Sequence, residues 1–261
     1  MTGATTLPYA VDPRRVEEAG LNALQTQKQL FYDGWLLRVS PGKAKRARSV
    51  NPHFASSLPL SGKIAYCERA YEERGLPALF RMTPFVQPPD LEDALAARGY
   101  VEFEETWVQT APLDRPPDVP EPGDDVELSA PDVPVFVEAA GDLRGSPPEQ
   151  RAAHRERLEH AAMPRRFVVV RAGGRPVCTG LVALEDGLAG IYDVVTAPDA
   201  RRRGHATLAC SWLLAWAWQR GARAAYLQVD GENGPAHAVY RRFGFTTLYT
   251  YHYRGRRGEC R

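Results

Sequence analysis

The sequence predicts an α/β (α+β) protein, two domains in which helices cover both faces of a central sheet. Three observations predict it. Short β-branched and aromatic runs, bounded by Gly and Pro, alternate with helix-length segments. A proline-rich acidic stretch divides the chain. The sequences on either side of it match one another at a constant offset.

The division comes first. Ala111 to Glu127 carries Pro112, Pro116, Pro117, Pro120 and Pro122 among acidic residues, a composition that resists helix and strand alike. The expected organisation is a first domain over 1–113, a linker over 114–126 and a second domain over 127–261. Sliding the chain by 146 residues sets Gly34 on Gly180, Pro52 on Pro198, Arg74 on Arg220 and Gly75 on Gly221. Trp35 to Val39 then falls on Leu181 to Glu185, and Ala78 to Phe80 on Ala224 to Tyr226. With one residue of slip, Ala94 to Tyr100 meets Ala238 to Phe245. Both halves therefore read strand, strand, helix, strand, helix, strand.

In the second half, Asp132 to Leu143 and Pro147 to Ala162 read as helices, the first capped by Ser129 or Asp132. Phe167 to Arg171 and Val177 to Leu184 read as neighbouring strands around a Gly173-Gly174 turn. Ile191 to Thr196 is a further strand. Ala206 to Arg220 is a helix ended by Gly221, and its run to Trp218 is too short to span a bilayer, so it reads as buried. The strand Ala224 to Val229, a helix over Pro235 to Arg242 stopped by Gly244, and an aromatic strand Phe245 to Tyr253 follow.

Composition narrows the function. At 261 residues with 44% hydrophobic and 25% charged content, the chain is of the globular class. A net charge of +1 gives no overall field for a polyanion, and no recognised nucleic-acid-binding pattern accompanies the basic runs 43–48 and 254–257. Cys67, Cys178, Cys210 and Cys260 form no paired spacing, which suits reduced thiols and no metal. Met1 to Ala10 lacks the pattern of a signal peptide, and the expected location is cytoplasmic, with no membrane partner.

The chemistry concentrates in Val194 to Leu208. There a strand ends and a turn bearing Arg201, Arg202, Arg203 and Gly204 opens directly into a helix. The free amides and dipole of a helix start favour an anion, Gly204 permits close backbone approach, and Ala206 keeps the next position small. An ordinary basic helix start is the alternative.

Arg201-x-x-Gly204-x-Ala206, after a strand and Pro198, resembles the Q/R-x-x-G-x-G/A signature of the GCN5-related N-acetyltransferase (GNAT) superfamily. Tyr226 to Phe245 resembles that family's next strand, Asn-containing loop and helix ending Y-x-x-x-G-F, in the same order and spacing. The resemblance covers about residues 126–254. It implies a mixed, mostly antiparallel sheet and acetyl-CoA as co-substrate. It further implies Val194, Val195 and Thr196 on the pantetheine arm, and the turn from Arg201 through Arg202, Arg203, Gly204, His205 and Ala206 to Thr207 on the pyrophosphate. Asn233 would touch the arm, and Tyr240 would sit near the sulfur as general acid.

The implied reaction is direct attack by a primary amine of a small molecule or peptide. Asp193 is the candidate base, directly or through water, or else a capped or paired strand-end carboxylate; Glu185 stands behind it. Gln228 occupies a place where peptide N-terminal acetyltransferases carry Glu, which weakens that assignment. His205 and His237 read as cap or surface residues, and His154 with His160 as a solvated helix face.

At the repeat offset, Arg201, Gly204 and Ala206 fall on Ala55, Leu58 and Leu60, so the first half reads as a degenerate copy without a phosphate cradle. Lys43 to Arg48 is either a solvated basic loop or a site for an acidic ligand or the 3′-phosphate. Glu102, Glu104 and Glu105 would attract a cationic acceptor. A tandem pair within one chain points to a monomer. A ligand-sensing module of the same fold, without catalysis, is the alternative function.

Overall fold

The computed structural model describes residues 11–259; Met1 to Ala10, Cys260 and Arg261 lie outside them. Helix α1 (Pro13–Ala23) begins where Asp12 accepts a hydrogen bond from the Arg14 amide and Pro13 presets the first turn. Strands β1 (Gln29–Tyr32), β2 (Trp35–Arg38) and β3 (Val50–Pro52) follow, then α2 (Leu60–Glu72), β4 (Phe80–Met82), α3 (Leu91–Ala97) and β5 (Tyr100–Pro112). Residues 113–125 form neither helix nor strand.

The second half runs β6 (Val126–Ser129), α4 (Val133–Arg144), α5 (Pro148–His160), β7 (Arg165–Ala172), β8 (Arg175–Glu185) and β9 (Leu188–Thr196). It ends with α6 (His205–Gln219), β10 (Ala224–Asp230), α7 (Gly234–Arg241) and β11 (Thr246–Arg256). Of the two candidate caps for α4, Asp132 serves, accepting from the Val135 amide at 3.1 Å, whereas Ser129 ends β6. Shifted by 146 residues, α2 covers 206–218 and β5 covers 246–258, which fall on α6 and β11.

All the strands join one 11-stranded sheet in the order β1-β2-β3-β4-β11-β5-β10-β9-β8-β7-β6. Only β3 with β4 and β9 with β10 run parallel; the other neighbours are antiparallel, which is the mixed, mostly antiparallel sheet that the resemblance implied. The halves exchange their last strands. β5 lies against β10 of the second half, Tyr226 opposite Thr110, while β11 lies against β4 of the first, Tyr253 opposite Arg81. The hydrogen-bond ladders thus cross the covalent boundary, and neither half closes its own sheet.

Strand alternation sorts the cores. On one face α2 and α3 bury Ile64, Tyr71, Leu91 and Leu95 against Trp35, Val50 and Phe80. On the same face α6 buries Leu208, Leu213 and Leu214 against Val168, Val170, Ile191 and Leu227, each full burial stabilising by about 2 kcal/mol. On the other face α4 and α5 cover Phe167, Val169 and Leu181, and α1 covers Tyr226, Tyr249, Tyr251 and Tyr253. The apolar run in α6 is the buried helix expected, and no helix among the described residues is long and apolar enough to cross a membrane.

Candidate active site

The parallel neighbours β9 and β10 pair only from Leu188 opposite Ala224 to Ile191 opposite Leu227, and then diverge. An extra residue in β9 helps to part them. Between the pairs Leu181 with Tyr192 and Thr179 with Val195 the register shifts, and Asp193 takes the left-handed conformation at φ 53°. Beyond that point the backbones of 192–196 and 228–230 have no strand partner between them.

A cavity of about 780 Å³ opens in this splay. Val194, Val195 and Thr196 line one wall, Arg201, Arg202, Gly204, His205, Ala206 and Thr207 the floor, and Asn233, Val239 and Tyr240 the far side. Of the residues expected at the site, the structure gathers these around one space; Arg203 is exposed and outside the lining, and Asp193, half-buried, lies outside it too. Ala200 and Arg242 line it too, without belonging to the motif positions quoted above.

The floor is a helix start. Gly204 caps α6 at φ 84°, a conformation that L side chains rarely adopt, and a Cβ there would meet nothing within 4 Å. The first return bond of the helix is Leu208 N to Gly204 O at 2.9 Å, so the amides before it have no acceptor within the helix. Unpaired amides, the positive end of the dipole and two arginines make a place for an anion such as a diphosphate. His205, at the first helical position, is buried, and burial with Arg203 nearby lowers its pKa, so it brings no charge at neutral pH.

Tyr240 projects from α7, a helix that buries no residue fully and ends at Arg241, ahead of Gly244 in the left-handed conformation. Burial, with Cys210 and Cys178 nearby, pushes its phenol well above the usual tyrosine range. The hydroxyl therefore stays protonated, and it bonds to no described residue. Asn233 has a second duty: its Oδ1 accepts from the Ala236 amide at 3.2 Å and caps α7.

Of the two roles left open for Asp193, the structure has the paired carboxylate. The bulge turns it away from the cavity, where Arg144 Nη2 donates to it at 2.7 Å and His154 Nε2 stands at 2.8 Å. Burial pushes the carboxyl up, but Arg144 and His154 outweigh it and hold the pKa well below the carboxylate range. Such a group does not collect a proton at neutral pH. Glu185 is also engaged, accepting twice from Asn22 Nδ2. His154 is buried rather than solvated, because α5 turns it onto β9, a contact that its helical spacing from His160 does not reveal. His237 lies against Trp107 with ring centroids 4.8 Å apart and planes tilted by 46°, and faces the carbonyls of Asp230 and Gly231.

The acidic residues of β5 have partners as well. Glu104 pairs with Lys45, Glu105 accepts from Trp107 Nε1 at 2.8 Å, and Glu102 lies 3.9 Å from Arg254. Glu104 and Glu102 thus have a cation nearby, whereas Glu105, exposed and bonded to a neutral indole, keeps its charge. In the first half the position equivalent to the helix-start cradle is filled from within: the Asp33 carboxylate accepts from the amides of Ser57 at 3.0 Å and Leu58 at 2.9 Å, just before α2. Those backbone bonds hold the Asp33 pKa far below the carboxylate range. Lys63, its side chain fully buried over Trp35, completes the plug at 3.2 Å from Asp33.

Comparisons with known proteins agree with this geometry. The fold and these relatives together make the chain an acyltransferase. Residues 136–245 match the Acetyltransferase (GNAT) family, and the chain carries a domain of that family. It is 27% identical over 258 residues to "Uncharacterized N-acetyltransferase YobR" of Bacillus subtilis, covering 94% of this chain and 99% of that one. A 91-residue stretch, 35% of this chain and 24% of the relative, is 37% identical to a mycothiol acetyltransferase of Saccharomonospora viridis. Among solved structures, a GCN5-related N-acetyltransferase from Kribbella flavida superposes with a TM-score of 0.66 at 18% identity, covering 94% of this chain and 95% of that one. A tandem GNAT protein from the clavulanic acid biosynthesis pathway superposes at 0.55 with 19% identity, covering 79% and 74%.

Proposed function

We propose that this protein is a tandem GNAT enzyme that moves an acetyl group from acetyl-CoA to a primary amine. The observation that carries the reading is the single cavity at which unpaired strand edges, a glycine-capped helix start and a half-buried protonated tyrosine meet. The donor supplies an acetyl group activated as a thioester. The amides of Gly204 to Thr207 hold its diphosphate, Arg201 and Arg202 add charge-assisted contacts, and the backbone of Val194 to Thr196 bonds the amide-rich arm as a strand would.

The acceptor amine attacks the acetyl carbon, the carbon–sulfur bond breaks, and the sulfur leaves as thiolate. Tyr240 faces that sulfur. Its pKa lies far above that of a thiol, so the phenol stabilises the thiolate chiefly as a hydrogen-bond donor and keeps its own proton until the thiolate recaptures one. Asp193, already bound to Arg144 and His154, serves to fix the bulge that opens the splay. The amine's proton then passes to solvent.

The first half has the same order of elements, but Asp33 occupies its anion position, which supports one donor site per chain. Isothermal titration of acetyl-CoA tests the reading. One site per chain and release of free CoA on adding an amine are expected; no binding refutes it.

A further inference from the structure

The first half sends residues 40–48 across the second, on the face of the sheet opposite α6. Gly42 sits so close to α5 that a Cβ there would lie 2.7 Å from an Arg157 guanidinium nitrogen, and Ala47 is fully buried. The basic run is therefore not a solvated loop, nor does it face the phosphate cradle. It delivers Arg46 over the ring of Tyr192, 5.7 Å from the centroid, on the strand that leads two residues later into the cavity wall. Tyr251 and Tyr253 of β11 also face it.

This region holds more positive than negative charge. Arg38, Arg81 and Arg157 are the cations that Arg46 feels or is felt by. Glu17 is engaged by both η nitrogens of Arg81 and by the Tyr249 hydroxyl, and Asp193 by Arg144 and His154. Arg38 satisfies its guanidinium on the carbonyls of Leu21 and Leu24. His53 lies 3.3 Å from Glu17 without a hydrogen-bonding alignment; burial lowers its pKa to about 4, and it is neutral. Arg46 is different: its Nη1 is buried with no hydrogen-bond partner, and no carboxylate of the described residues lies within ion-pair distance. The Nε of Arg157 also has no partner.

Tyrosine faces offset part of the cost of burying a guanidinium, but they leave its in-plane donors unused. That fork matches the two oxygens of a carboxylate or phosphate. We propose that Arg46 anchors an anionic group on the acceptor, so that the substrate is an amine bearing a carboxylate or a phosphate. This rests on the acetyl-transfer reading above and adds the substrate class to it.

The test measures acetylation of matched amines by the full chain: free α-amino acids against their α-amides, and phosphoethanolamine against ethanolamine. At least one anionic series should exceed its neutral partners at least tenfold in kcat/KM; which series does so distinguishes carboxylate from phosphate. In Arg46→Gln that preference should fall to about twofold through a raised KM, while Arg46→Lys retains part of it. Acetyl-CoA titration of each variant reports folding and an intact donor site. Neutral amines matching anionic ones in the wild type, no anionic amine being acetylated, or a preference surviving in Arg46→Gln overturns the inference alone. Failure of the wild type to bind acetyl-CoA overturns the reading beneath it.

Discussion

Gly204→Glu separates the cradle from every other feature of the site. A side chain at φ 84° costs about 1–2 kcal/mol in backbone strain, which in a chain of this size lowers Tm by a few degrees. Gly204→Ala carries the same strain, and its Cβ meets no protein atom within 4 Å, so it is the control. The glutamate adds a charge to a space meant for a diphosphate. At a separation of about 5 Å and an effective dielectric of about 20, one such repulsion is worth about 3 kcal/mol, or two orders of magnitude in affinity. Titration calorimetry should find acetyl-CoA binding by Gly204→Glu at least about 100-fold weaker than by Gly204→Ala, with similar Tm for the two. Equal affinities would refute the placement of the diphosphate at this helix start.

Tyr240→Phe should lower kcat by about 10²- to 10⁴-fold with acetyl-CoA affinity unchanged, and should alter stability by less than about 0.5 kcal/mol because the hydroxyl has no partner among the described residues; stopped turnover with weakened binding contradicts this. Asp193→Asn should cost about 2 kcal/mol in urea unfolding, less than a fully buried pair because Arg144 is 32% exposed, and should lower donor affinity by relaxing the bulge. Glu17 is buried, which raises its pKa, yet Arg81, His53 and Tyr249 bring it to about 2 against 4.5. Its stabilisation, about 3 kcal/mol, is complete above about pH 4.5 and is lost as the pH falls toward 2; a urea midpoint that stays flat across that window contradicts the pairing. Asp33→Ala should lower Tm without creating a second acetyl-CoA site, since no arginine turn accompanies that helix start; a stoichiometry of two refutes this reading.

Helix ends and turns were legible because they depend on residues a few positions apart. Gly204, Gly221, Asp132 and Asn233 behave as their types demand, and the motif residues from Val194 to Tyr240, Arg203 apart, converge on one cavity. Helix α1 was not legible: it has no counterpart in the repeat, and only its tertiary packing on Tyr226 and Tyr249 explains it. Asp193 and His154 misled for a related reason. A carboxylate beside a cofactor strand and a histidine on a polar helix carry no sign of each other across 39 residues.

By itself, then, the sequence determined the class of fold, the shared order strand, strand, helix, strand, helix, strand in each half and the glycine-capped start of α6. These follow from backbone sterics, from hydrophobic period and from amides left free at a helix start, all local in origin. Tertiary structure alone decided that β5 and β11 trade places, that Asp193 is paired, and that a basic run buries Arg46 beside Tyr192. Strand edges offer the same donors and acceptors to any partner, so which two meet is settled by the packing of the whole sheet. The charge state and use of a polar side chain depend on the neighbours that this packing supplies.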